Sequence, residues 1–300
     1  STASSALRPR HGAFPLCEEL TRRGVAWQHR RLPILRRAYL RPSGMPTLLA
    51  AVRRGWSMLR AARPDVVYLS TSGCLLMAPI ARLAGVRHRV VHIQERWSGR
   101  EASVLRALTR FTTCRIAISA AVAEASGVQR PAPVIVTNCV DDPLDGAEPT
   151  PTTGSEPLTY VVASRWNRWK GHTTLLAGWS RAGCPGRLVV LGGPPPVGDA
   201  VDVRALAAAL DRPDSVEIVG EVADAPAHIA AADVLVLPSD DPEPFGLVVI
   251  EAFAVGRPVI ASRAGGPLEV VQDGRTGWFF EPRDPDDLAR VLRALTPEQV

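Results

Sequence analysis

Short apolar runs, separated by polar breaks marked with glycine or proline, recur along the whole chain. Residues 65–70, 89–94, 115–119 and 134–137 form a first series of strand-like runs, with helical segments such as 75–84 and 120–126 between them. A second series covers 159–163, 187–191, 216–219, 234–237 and 257–261, separated by helical candidates that include 201–210 and 225–231. Runs this short and this continuously apolar, alternating with helices, predict parallel sheets covered on both faces. Residues 142–157 are rich in Pro, Thr, Gly and Asp and carry no apolar period, which marks a linker. The expected architecture is α/β: two Rossmann-like domains, 1–141 and 158–300, facing a cleft, with ligands at the C-terminal ends of the strands.

One segment breaks the apolar pattern in an informative way. Residues 243–251 read Glu-Pro-Phe-Gly-Leu-Val-Val-Ile-Glu, and Glu251 is the only charge between Phe245 and Gly256. A carboxylate buried in such a run costs several kcal/mol unless it is paired, so a partner is expected. The run has helical length and places Phe245, Gly246 and Leu247 at a helix N-terminus, where free N–H groups and the helix dipole attract anions. Glu243 would sit before that anion site and Glu251 about a turn inside the helix. The layout suits a ligand with phosphate and hydroxyl groups. A loop glutamate plus a snorkelling helix glutamate is the alternative.

The stretch 232–282 resembles the C-terminal signature of retaining, nucleotide-sugar-dependent glycosyltransferases of the GT-B fold, family-4 type. The matching pieces, in order, are Ala-Asp-Val-Leu-Val-Leu-Pro-Ser (232–239), the Glu243/Glu251 pair, Gly256-Arg-Pro-Val-Ile260, Gly265-Gly-Pro-Leu-Glu269 and Asp273-Gly-Arg-Thr-Gly277. The resemblance implies that Glu243 contacts donor-sugar hydroxyls and that Glu251 holds the ribose hydroxyls of the nucleotide. It also implies a phosphate-binding arginine and lysine after the first strand of the second domain, which match Arg165 and Lys170. Composition adds to this, because Lys170 is the only lysine beside 34 arginines. A compact ammonium enters a tight diphosphate site where a planar guanidinium does not fit; chance retention is the alternative. Trp166 and Trp169 depart from the family's smaller residues, and packing against the linker would explain them. Gly220-Glu-Val222 falls where the family's main chain meets the base.

The first domain says less. Ser119 ends a strand and opens a helix, so it either lies near the donor phosphate, as in the family, or serves as an N-cap. Gln94 stands where the family often has a cleft histidine, and His92, two residues earlier, shares its sheet face. His92 or Glu95 is expected to line the acceptor side of the cleft, and Gly12 to belong to the remnant of a glycine-rich acceptor loop. The family pattern normally starts with an apolar strand and continues with helices past Val300, which implies a chain truncated at both ends.

Composition bounds the rest. With 300 residues and 46% apolar content there is material for two packed cores. Five cysteines, odd in number and without a C-x-x-C pair, fit a reduced cytoplasmic setting with inert, buried thiols. Residues 1–155 carry 22 Arg against 10 acids, +12, whereas 156–300 stand at −7. The basic half suits peripheral contact with anionic lipid headgroups or an anionic acceptor, or is the ordinary surface of an arginine-rich protein. No nucleic-acid module, P-loop, G-x-S-x-G elbow, H-E-x-x-H or G-x-G-x-x-G motif is present. No cofactor and no metal site is expected, the nucleotide sugar being a substrate. The reading is a glycosyltransferase moving sugar from a nucleoside-diphosphate donor to a hydroxyl acceptor (glycan, lipid or small molecule) with retention. Its rivals are a catalytically inactive nucleotide-sugar-binding or scaffold protein and a nucleotide-sugar epimerase.

Overall fold

The computed structural model describes residues 15–35, 42–146, 148–149, 157–196 and 198–300. Its strands form two all-parallel sheets. The first holds β1 (Val66–Leu69), β2 (His88–Ile93), β3 (Cys114–Ala117) and β4 (Val134–Ile135), side by side in chain order. Two helices, α1 (Pro15–Arg22) and α2 (Met45–Ala62), precede this sheet, and α3 (Met77–Leu83), α4 (Gly99–Thr109) and α5 (Ala120–Ser126) connect its strands.

The second sheet holds β5 (Thr159–Ala163), β6 (Arg187–Leu191), β7 (Val216–Gly220), β8 (Val234–Leu237), β9 (Val259–Ser262) and β10 (Gly277–Phe280). The connecting helices are α6 (His172–Arg181), α7 (Val203–Ala208), α8 (Ala225–Ala230), α9 (Leu247–Ala254) and α10 (Pro267–Val270), and α11 (Pro285–Ala294) follows β10. Strand order is β10-β9-β8-β5-β6-β7. The chain therefore builds outward from β5 in one direction, then returns and builds outward from β8 in the other. The loops leaving β5 and β8 diverge to opposite faces, which opens a crevice at the carboxyl ends of these two strands.

Why this sheet forms is plain from its sequence. All four residues of β8, Val-Leu-Val-Leu, are at most 1% exposed, as a central strand covered on both faces requires. Val234 and Val236 face a core shared with Trp179, Leu175 and Leu288, while Leu235 and Leu237 face one shared with Val249 and Ile229. The first sheet packs Leu69, Val91, Ile93 and Ala117 against α3 and α5. Its other face departs from the expected two-sided cover: Val66 and Tyr68 are each 52% exposed.

Several boundaries move. The expected helix 75–84 becomes a 3-10 turn at Ser72–Cys74 followed by α3, and the strand expected from 257 starts at Val259. β10 and the 18-residue α2 lie outside the expected elements. The α2 signal is nonetheless in the sequence, since Ala51, Gly55 and Leu59 recur every four residues and are its buried positions. Uniformly buried thiols are not found: Cys184 is buried, Cys139 is exposed, and Cys17, Cys74 and Cys114 are half-buried at element ends. Among the described residues no helix is long and apolar enough to cross a membrane.

Candidate functional site

A cleft of about 410 Å³ opens where the loops after β5 and β8 diverge, and Arg165, Lys170, Glu243, Gly246, Leu247 and Glu251 all line it. A hollow of about 430 Å³ lies at the opposite end of β5, but Arg293 is the sole charged group in its lining. The chemistry gathers at the carboxyl ends.

Local geometry explains how residues 73 positions apart meet. Gly171 has φ +72°, and a Cβ there would stand 1.7 Å from the carbonyl oxygen of Pro238. Only glycine lets the 168–170 turn press so closely against the end of β8. The Asp240 N–H then donates to the Trp169 carbonyl at 2.8 Å. Across this junction the Lys170 ammonium donates to Glu243 Oε1 at 2.7 Å, and the Ser239 hydroxyl donates to the same oxygen. Glu243 is 3% exposed. The Lys170 Nζ also lies 4.2 Å from the centre of the Trp169 ring, a favourable cation–π contact. Lys170 and Glu243, expected to meet different parts of a ligand, thus hold each other. An ammonium has three N–H donors, so the pairing leaves Lys170 capacity for a ligand.

Glu251 departs from expectation in the other direction. It lies one turn into α9, half-buried on the cleft, and among the described residues no partner stands against its carboxylate. Burial raises its pKa. The expected internal partner is missing because the cleft side of α9 is open, so the cost of burial is only partly incurred. Beside Glu251, Gly246 and Leu247 bring the start of α9, with its unpaired N–H groups, to the cleft lining.

The side chains of three expected donor-site residues pack into the protein, while the roles expected of Phe245 and Val222 are main-chain ones. Phe245 is 3% exposed and packs into the core of the first sheet. Ser119 is fully buried; its hydroxyl accepts the Val122 N–H at 3.0 Å as the N-cap of α5 and donates to the Pro244 carbonyl at 2.6 Å. Val222 packs against the core around Val161 and Leu235. Trp166 is buried in the core of the second sheet, which replaces the expected packing on the linker.

On the first sheet, Tyr68 Oη lies 2.7 Å from His92 Nδ1 and Gln94 Nε2 lies 3.5 Å from it, so the two side chains do share a face. Burial lowers the His92 pKa, opposed by Glu95, and its Nε2 is buried without a partner among the described residues. Glu95 accepts from Thr71 Oγ1 at 2.6 Å and Ser72 Oγ at 2.7 Å, which ties down the loop after β1. The 410 Å³ cleft is lined by the second sheet's side alone, so these three residues stand apart from it. Gly12 lies outside the described residues. Sequence reasoning missed Trp169, Asn167 and Ser164, which also line the cleft. It also missed His172, fully buried at the start of α6 behind Lys170.

Residues 157–297 match the family model described as glycosyl transferases group 1. The D-inositol 3-phosphate glycosyltransferase of Geodermatophilus obscurus is 50% identical over 68 residues, 23% of this chain and 15% of that protein. The glycogen synthase of Mycobacterium tuberculosis is 29% identical over 216 residues, 71% of this chain and 50% of that protein. The chain thus spans a small part to half of these relatives. The Anabaena Alr3699/HepE structure, in complex with UDP and glucose, superposes with a TM-score of 0.75 at 22% identity, covering 93% of this chain and 78% of that one. At that identity the likeness speaks for the fold: two parallel α/β sheets in the GT-B arrangement. Through residues 157–297, just under half of its length, the chain is similar to the glycosyl transferases group 1.

Proposed function

We propose that this protein transfers a sugar from a nucleoside-diphosphate donor to a hydroxyl acceptor, with retention of anomeric configuration. One observation carries the reading: two cations, two carboxylates and a helix start surround a single cleft at the point where the strand order reverses. Arg165, Lys170 and the first N–H groups of α9 meet the diphosphate and stabilise the charge that develops as it departs. Glu251 accepts hydrogen bonds from the ribose hydroxyls, which replace the water its half-buried carboxylate lacks. Glu243, anchored by Lys170 and Ser239, faces the donor sugar. The acceptor hydroxyl attacks the anomeric carbon from the face the diphosphate leaves, its proton passing to the departing phosphate oxygen as the sugar–phosphate bond breaks, with no protein nucleophile. Because side chains and backbone supply the positive charge, transfer is expected to survive a metal chelator. The UDP bound to the Anabaena relative supports UDP as the first donor nucleotide to test.

The test is a mass-spectrometric screen of nucleotide sugars and acceptors, with the anomeric configuration of any product read by NMR. Transfer with retention supports the reading, and inversion removes the mechanism. Nucleotide binding with no transfer to any acceptor would point to a binding protein instead.

A further inference from the structure

Glu269 is the third residue of α10, and its carboxylate crosses to the first sheet's side of the cleft. Its two oxygens accept the Ala120 and Ala121 N–H groups, each at 2.8 Å. The first N–H groups of a helix have no partner inside it, so the opening donors of α5 are satisfied by a residue 148 positions further along the chain. Both contacts are charge-assisted and aligned with the helix dipole.

The neighbouring contacts converge on the same place. Ser119 donates to the Pro244 carbonyl at 2.6 Å, and Phe245 is buried in the first sheet's core. Gly266 lies so close beneath Phe245 that a Cβ would stand 2.4 Å from its Cα, and the Gly266 N–H donates to the Glu243 carbonyl at 2.9 Å. Residues 119–121, 243–245 and 266–269 therefore form one junction, and the middle segment carries Glu243 of the candidate site.

We propose that Glu269 is a positioning residue: a carboxylate clasp that holds α5 against the 243–246 loop and so fixes the opening between the two sheets. Its role in transfer rests on the glycosyltransferase reading; its role as a clasp does not. Glu269 is exposed, so water screens its contacts and the fold should survive their loss. The clasp directs geometry more than it adds stability.

Amide hydrogen exchange at Ala120 and Ala121, with small-angle scattering, tests the clasp in wild type, Glu269→Ala and Glu269→Gln. In Glu269→Ala both amides should exchange at least about tenfold faster while the cores stay protected, and the radius of gyration should rise. Glu269→Gln keeps the shape but offers one oxygen, so one of the two amides should lose protection. Leu268→Ala, at an exposed neighbour, should change neither. Unchanged exchange in Glu269→Ala, unchanged scattering, or wild-type exchange in Glu269→Gln would each overturn the clasp. These measurements decide it whether or not any sugar is transferred. In the transfer assay, Glu269→Ala should lower kcat at least about tenfold with UDP affinity within about threefold of wild type. Equal losses in both would place Glu269 in the nucleotide site and refute a positioning role.

Discussion

Lys170 is the single lysine among 35 basic residues, and its ammonium is fixed from two sides, by Glu243 Oε1 at 2.7 Å and the Trp169 ring at 4.2 Å. A guanidinium at this position is broader and planar, and cannot satisfy both contacts in the same space. Lys170→Arg should fold normally yet lose at least about tenfold in transfer rate, roughly 1.4 kcal/mol. Exposed Arg168→Lys should be silent. A wild-type rate for Lys170→Arg would reduce the lone lysine to an accident of composition. Glu251 presents the opposite case, a half-buried carboxylate with no partner among the described residues, whose pKa is raised by desolvation. Such a group weakens the free protein and strengthens the complex. Glu251→Gln should leave the melting temperature unchanged or higher, while UDP affinity measured by calorimetry falls by roughly 1.5–3 kcal/mol. Unchanged affinity in the folded variant would remove Glu251 from the site.

At the scale of elements, α6 begins with a histidine that cannot easily ionise. His172 is fully buried, and its pKa is lowered to about 4, first by desolvation and then by the nearby Lys170 charge. The unfolded chain takes up this proton as pH drops below about 6.5, whereas the folded protein resists until near pH 4. Stability from this group is therefore complete above pH 6.5 and drains away towards pH 4, by on the order of 3 kcal/mol. Denaturant titrations across that range should show the slope in wild type and lose it in His172→Gln; an unaltered slope in the variant would assign the acid sensitivity to other groups.

The same scale shows what a sequence discloses. The β8 run, the glycine turns and the α9 start are legible because their causes are local: continuous apolarity, glycine's access to positive φ, and an apolar run of helical length after Pro244 and Gly246. The pairing of Lys170 with Glu243 is not, because it depends on how closely Gly171 approaches Pro238, two positions 67 apart in the numbering. For the same reason Ser119 reads equally well as a ligand contact or a cap until Pro244 is seen beside it. The first sheet is less legible still, since the alternation of His92 and Gln94 gives their shared face but not what covers it.

For the whole molecule, Phe245 belongs to one half by sequence and to the other by packing, with Ile250 and Val270 partly buried against the same core. Truncating it removes a buried ring from the first sheet's core and should cost about 3–5 kcal/mol. Because the lost contact lies between the halves, Phe245→Ala should also split a single thermal transition into two in calorimetry. One sharp transition at lower temperature would mean the halves are joined chiefly elsewhere.

The contact of Gly171 with the Pro238 carbonyl has a kinetic consequence. It joins the strand-end turn of Arg165 and Lys170 to the loop of Glu243, so the donor pocket is assembled within one half alone. A nucleotide seated there would ride with that half as cargo whenever the halves part. If the proposed transfer holds, loading is expected to run donor before acceptor, and unloading glycosylated product before nucleotide. In steady-state kinetics with UDP as product inhibitor, UDP should compete with the donor but not with the acceptor. Competition with both would mean that the pocket is completed only when the halves meet.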